Sequence, residues 1–479
     1  MSRQTILNFA PISKRSYMLF SLLGTAVLLL VHWKHSWPAL SHGYAFADLG
    51  DSERANTVNE AVQTTVLACL FGLYFYCLLH WERLQFTRRE IAFIVLAQGL
   101  IGWASLPANS TDLFGYIGLG RLAAVYGANP YLHTYAEFHD NFRPYVEWYI
   151  SMPYGPALLP LFAAAGWLSQ YGVLPAVFAL KLVWLLTHIC NCLVLARILN
   201  GWGKPVAIGV FLFGLNPLVW LEQIVNGHND GVLMLFGLLA ILALQRGWRV
   251  AAVWLALLSA LVKLPGIFFF AAVLIYLLRR RDWRALAIGL TGSAVLLLAL
   301  KLALFPTKES MLSLTNVGNY SKNSLHLLLI RAAEKLCNWL GGPTNYDHLY
   351  ALDRRVFSVL FFAFCAWRFW RIRELNHLIQ ELAVLFLGLL IGYAAWFFPW
   401  YVAWLIPLAA LMDSARLRWT ILAFSWTSLA LYAFSYQLIE LSPRHWLWMG
   451  LRISIAHLLP LSLPLLWTHL NRRRELPLW

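Results

Sequence analysis

From Phe20 to Trp467 the sequence returns repeatedly to apolar runs of roughly 20 residues, the length that crosses a hydrocarbon core of about 30 Å, with short breaks between them. Backbone amides in lipid must be satisfied within the segment that carries them, so the runs read as helices. The expected fold is all-α: a polytopic transmembrane bundle forming one integral membrane domain over residues 1–479. With 60% of residues apolar and 12% charged, against about a quarter charged in a soluble domain, a soluble enzyme is excluded.

A net charge of +15 on a soluble surface would suggest nucleic acid. Here the basic residues gather in the breaks, at Lys14/Arg15, Arg83 with Arg88 and Arg89, Arg246/Arg249, Arg279 to Arg284, Arg368 to Arg373, Arg416/Arg418 and Arg472 to Arg474. They read as cytoplasmic topology determinants, and no nucleic-acid partner is expected. Placing all of them inside requires spans near 16–33, 61–80, 91–107, 176–198, 205–221, 230–245, 249–262, 266–279, 285–304, 350–369, 381–397, 400–412, 418–434 and 446–467. That makes about 14 crossings with both termini inside, the first span being retained rather than cleaved. The stretch 156–170 breaks the parity if it crosses, so it is expected to be re-entrant or interfacial. Six cysteines, mostly within apolar runs and without paired spacing, read as core residues; no metal and no cofactor is called for.

On this topology the loops 34–60, 108–155, 222–229, 305–349 and 435–445 face away from the cytoplasm and carry most of the unusual polar residues. The loop after the third span, beginning NSTDLFGYIGLGRLAAVYGANPYLHTYAEFHD, is the most informative. Helical spacing aligns Asp112 with Tyr116, Arg121 follows, and Asn129-Pro130-Tyr131 ends the segment because proline holds its predecessor extended. A plainer reading stands beside it: Thr111 or Asp112 is only a helix cap. Trp396 to Tyr401, including Trp400, is either an interfacial aromatic belt or a wall against lipid or sugar.

The pattern Asp112-x-x-x-Tyr116, Tyr126-Gly127-Ala128-Asn129-Pro130-Tyr131 and Tyr154-Gly155-Pro156 resembles polyprenol-phosphate-mannose-dependent mannosyltransferases of the GT-C fold. Asn226-Gly227-His228-Asn229-Asp230, Lys263, Asn323-Ser324-Leu325 and Trp396 through Trp404 extend the resemblance over about residues 105–410. It implies a GT-C-like architecture, an acidic general base in an early outer loop, for which Asp112 fits, and a polyprenyl-phosphate sugar donor. The implied acceptor is a glycan or lipid hydroxyl, with membrane lipids as neighbours, and transfer is inverting. The two N-terminal spans depart from relatives whose acidic residue follows the first span directly, which keeps Asp48 and Asp51 as competitors.

Such a donor already carries a good leaving group, so the chemistry needs a carboxylate to take the acceptor's proton and cations to hold the departing phosphate. Lys263, Arg121 and His228 are the candidate cations; Asp230 and Asn323 are expected to touch substrate. Lys263 lies in LSALVKLPG with no acid nearby in its own span, so a lipid phosphate or snorkelling to the interface is expected to compensate it. Likewise Asn229 or Asp230 could cap the following helix, which leaves His228, between two asparagines, to contact sugar hydroxyls or phosphate. No nucleotide-sugar motif appears on the cytoplasmic side. The sequons at Asn109 and Asn319 face outward, and a glycan beside Asp112 would obstruct it, which favours a bacterial inner membrane. The rivals are a transporter or flippase, without the paired interrupted repeats expected of one, and a structural membrane protein in which Asp112, His228 and Lys263 lie apart.

Overall fold

A computed structural model describes residues 12–42, 57–147, 149–315, 321–342, 345–432 and 445–470, and these are helical almost throughout. Helices of nine residues or more are α1 (Lys14–His42), α2 (Thr57–Leu79), α3 (Arg88–Ala104), α4 (Asp112–Ala124), α5 (Leu159–Leu168), α6 (Val173–Gly201), α7 (Val206–Gly214) and α8 (Asp230–Gln245). They continue as α9 (Arg249–Val262), α10 (Ile267–Arg279), α11 (Trp283–Leu304), α12 (Leu325–Trp339), α13 (Tyr346–Trp370), α14 (Leu375–Gly388), α15 (Ala415–Thr427) and α16 (His445–Leu470). Among the described residues six helices are long and apolar enough to cross a membrane, or seven if the bent pair 206–214 and 217–225 is one span. Most of the other expected crossings fall on shorter or broken helices: α8, α9 and α10 have 16, 14 and 13 residues, and 400–412 is a 3-10 turn followed by a six-residue helix; 350–369 lies on the 25-residue α13, which is long enough but is not among the six.

Segment ends are set by local chemistry. Thr87 and Glu90 form a reciprocal capping box that starts α3 beside Arg88 and Arg89. Asn216 accepts from the amides of Leu218 and Val219 at 3.0 and 3.4 Å, so α7 stops and the chain restarts at Pro217, bent by 47°. The restart widens into a π-helix over Trp220–Val225, and the chain turns two residues later at Gly227, whose φ of +77° favours a residue without a Cβ. The stretch 156–170 folds as a 3-10 turn and the ten-residue α5, about 15 Å long and half of what a crossing needs.

Four contacts knit the predicted cytoplasmic loops to one another. Lys14 pairs with Glu90 at 3.3 Å, Lys204 with Asp413 at 2.5 Å and Arg249 with Asp282 at 2.7 Å. Arg279 donates to the Trp370 carbonyl at 2.8 Å. Among the described residues these basic breaks therefore share one end of the bundle, and the turns bearing Asp112, His228, Lys263 and Trp400 meet at the other; Arg472 to Arg474 lie outside the described residues.

Candidate active site

Asp112 is the first residue of α4, half-buried with 22% of its side chain exposed. It is not a cap: Thr111 holds the N-cap position without capping, its hydroxyl donating instead to Glu147 at 2.9 Å. The Asp112 carboxylate accepts from the Tyr116 hydroxyl at 3.3 Å, and Tyr116 is fixed by stacking on Phe162 with centroids 4.8 Å apart. α4 crosses α5 at the closest possible range, because a Cβ on Gly120 would lie 1.7 Å from the Phe162 carbonyl oxygen.

The widened turn before α8 delivers the next group. Gly227 packs against Leu113 of α4, and the following His228 comes within 3.9 Å of Asp112. The imidazole Nδ1 meets the Glu222 carbonyl at 3.0 Å and its carboxylate at 3.1 Å, while Nε2 meets Ser110 Oγ at 3.1 Å. Burial alone would lower the histidine's pKa; the bond to Glu222 and its charge, with Asp112 and Asp230 beyond, outweigh that and raise it above the ordinary value. His228 thus sits between two carboxylates in a form biased toward the imidazolium.

Asp230, fully buried at the start of α8, accepts from Lys263 at 2.9 Å and from the Trp404 indole at 2.6 Å. This supplies the compensation that Lys263 lacks in its own span: its partner is a carboxylate of the protein, one helix away, and neither a lipid phosphate nor snorkelling is needed to explain the charge. The ammonium lies 5.1 to 5.8 Å from the ring centres of Tyr154, Tyr401 and Trp404. The Tyr154 loop is held to this corner by Gly155, whose amide donates to Val262 at 3.0 Å and whose missing Cβ makes room for the Leu261 carbonyl.

Trp400 is no belt residue. It is buried and stacks on His228 at 4.0 Å, with Phe398 stacked on its other face at 4.2 Å. Lys322 lies over Phe398 at 5.5 Å, and its backbone pairs with Ala395 and Phe397. Asn323 follows with φ +55°, shaping this junction before α12 through its backbone.

Arg121, Asn129 and Tyr131 are used elsewhere. Arg121 is paired with Asp140, which also accepts from Tyr126 and Tyr135. The Asn129 amide donates to the last carbonyl of α11 at 2.8 Å, and Tyr131 bonds the Tyr154 carbonyl at 3.1 Å. These three shape the loop between α4 and α5 around the site rather than line it. Asp48 and Asp51 lie outside the described residues.

Two residues passed over in the sequence matter. Glu222, fully buried in LVWLEQIV, holds both His228 and, at 3.1 Å, Asn226. Lys181, fully buried in α6, donates to the Ser105 carbonyl at 2.5 Å and the Val225 carbonyl at 2.8 Å. Those carbonyls end α3 and the π-helix, the elements that lead into Asp112 and His228, so one lysine side chain ties both approaches together.

A helical membrane protein with a carboxylate, a histidine and a lysine–aspartate pair gathered at the end opposite its basic loops is the class that fold and site define. Residues 18–279 match the family described as alpha-(1->6)-mannopyranosyltransferase, N-terminal domain, and the chain belongs to that family. It is also 25% identical over 363 residues to alpha-(1->6)-mannopyranosyltransferase A of Mycobacterium tuberculosis, covering 70% of this chain and 67% of the relative.

Proposed function

We propose that this protein transfers a mannosyl residue from a polyprenyl-phosphate donor to a hydroxyl of a glycan or lipid acceptor, with inversion, at the non-cytoplasmic face of a bacterial inner membrane it crosses about 14 times. The observation that carries the reading is the environment of Asp112: a partly exposed carboxylate, oriented by Tyr116 and kept beside the His228 imidazole, in a family of mannosyltransferases. The relative's name suggests an α-(1->6) product linkage. Neither comparison lends anything to the transporter alternative.

The acceptor hydroxyl gives its proton to Asp112 as its oxygen bonds the anomeric carbon. The bond from that carbon to the phosphate oxygen breaks opposite, and its electron pair leaves on the phosphate. His228, 3.9 Å away, holds its ring beside the Asp112 carboxylate that takes the proton. The remaining N–H donors of Lys263, in a corner with little water, hold the departing phosphate. Lys322, at the end of the Phe398–Trp400–His228 stack, is a second cation for that group. Buried polar atoms without a protein partner cluster beside these residues, namely both amide atoms of Asn229 and Oδ2 of Asp230. Leaving such atoms unmet costs about 1–3 kcal/mol each, a cost that sugar hydroxyls would remove.

The test is transfer from a short-chain polyprenyl-phosphate mannose to a mannoside acceptor in nanodiscs. Asp112→Asn should lower turnover by about 10²- to 10⁴-fold with donor binding retained, while Asp112→Glu keeps part of it. Near-normal turnover by Asp112→Asn would move the base to Asp48 or Asp51.

A further inference from the structure

The end of the bundle opposite Asp112 contains a cavity of about 610 Å³ bounded by α3, α6 and α7. Its apolar wall includes Ile91, Val95, Leu96, Leu193 and Val210, and its polar lining is Arg88, Arg197, Arg246 and Asn200. No carboxylate lines it. The three arginines come from separate elements: the first residue of α3, the last turns of α6 and the residue that closes α8. Among the described residues no acid pairs with any of them, although neighbouring Lys14, Lys204 and Arg249 all have acidic partners.

Three like charges converging on one apolar-walled space repel one another more strongly than they would in water, and an anion at their centre reverses the sign of that energy. Guanidinium groups present paired donors that match phosphate oxygens. An inorganic anion would satisfy the rim and leave the wall wet. The wall also opens sideways, with Leu96 and Leu193 about half exposed, toward the surface that meets lipid. Rim and wall together describe an amphiphile with an anionic head, and the Asn200 amide among the guanidinium groups suits a head that also carries hydroxyls.

We propose that this cavity binds one anionic phospholipid of the surrounding bilayer, its phosphodiester on Arg88, Arg197 and Arg246 and an acyl chain between α3 and α6. The full chain in nanodiscs of phosphatidylcholine doped with phosphatidylglycerol tests it, by native mass spectrometry of retained lipid and by thermal unfolding. Wild type should retain one phosphatidylglycerol and gain Tm with its mole fraction. Each basic residue near an anionic headgroup multiplies affinity about five-fold, so the combined Arg88→Gln, Arg197→Gln and Arg246→Gln protein should bind about a hundred-fold more weakly. Ala207→Trp, which fills the cavity and leaves the arginines, should lose the lipid too, and covers the case in which the triple variant fails to fold. Equal retention by wild type and the variants overturns the proposal. So does competition by inorganic phosphate as effective as by phosphatidylglycerol, which would make this an anion site only. Preferential capture of a polyprenyl phosphate at equal mole fraction overturns it as well, assigning the cavity to the carrier lipid.

Discussion

An ammonium in an apolar setting demands a partner, and for Lys263 that partner is a buried aspartate at the head of another helix. Removing one member of such a pair strands the other, at a cost of about 3–5 kcal/mol, whereas removing both is often close to neutral. Lys263→Met should therefore destabilise the protein strongly, and Lys263→Met combined with Asp230→Asn should recover much of the lost stability. If Lys263 also holds the departing phosphate, the double variant stays inactive despite refolding. Thermal unfolding and turnover measured on both proteins separate the roles, and full activity in the double variant would remove Lys263 from the chemistry. At this scale much was legible in the sequence: Asp112, Tyr116, Tyr154, His228, Asp230, Lys263 and Trp400 do converge. Lys181 was equally readable, as a lone charge in VFALKLVWLL, by the same cost that draws attention to Lys263. Glu222 was not, since only the π-helical turn brings its carboxylate under a histidine six residues later.

Elements were legible where hydrophobic length decided them and obscure where a short-range device did. The run 249–262 is a helix with those bounds, but nothing in the apolar pattern announces the bend at Asn216 or the close crossing at Gly120. Arg121, Asn129 and Tyr131 read as site residues because their motif is unusual, yet the motif's first task is to build a loop, with Asp140 as its hub. Burial pushes the Asp140 pKa up, but bonds from Tyr126, Arg121, Tyr135 and the Phe142 amide more than offset it, and the folded value is depressed. A depressed carboxylate contributes stability that is complete above its unfolded pKa of about 3.9 and is lost as pH falls through the lower folded value. Limited proteolysis of the 126–146 loop should therefore accelerate below about pH 4 in wild type. Asp140→Asn should be cut readily across the whole range, and identical pH profiles for the two would show that Asp140 does not hold the loop.

The whole molecule poses a problem of counting. A crossing of about 30 Å needs roughly 20 residues, and α8, α9 and α10 follow one another with 16, 14 and 13, or about 20–24 Å each. Among the described residues six helices are long and apolar enough to cross, against about 14 spans expected from the basic residues, and α8, α9 and α10 fall short of a full crossing on length alone. Parity gives an independent test of the topology, because it depends on which ends meet. Lys14 with Glu90, Lys204 with Asp413, Arg249 with Asp282 and Arg279 with the Trp370 carbonyl each join two breaks that the basic residues assign to the cytoplasm. Asp230 with Lys263 and Asn129 with Leu304 each join two breaks assigned to the other side. Two exposed tryptophans report on the two ends: Trp248 in the turn between α8 and α9, 63% exposed, and Trp339 at the end of α12, 81% exposed. In a cysteine-free background, Trp339→Cys should react with an impermeant maleimide added to intact cells, and Trp248→Cys only after the inner face is opened. The opposite labelling would invert the molecule and place Asp112 in the cytoplasm. Labelling of both from one side would mean that α9 through α12 make an even number of crossings where the proposed topology requires three.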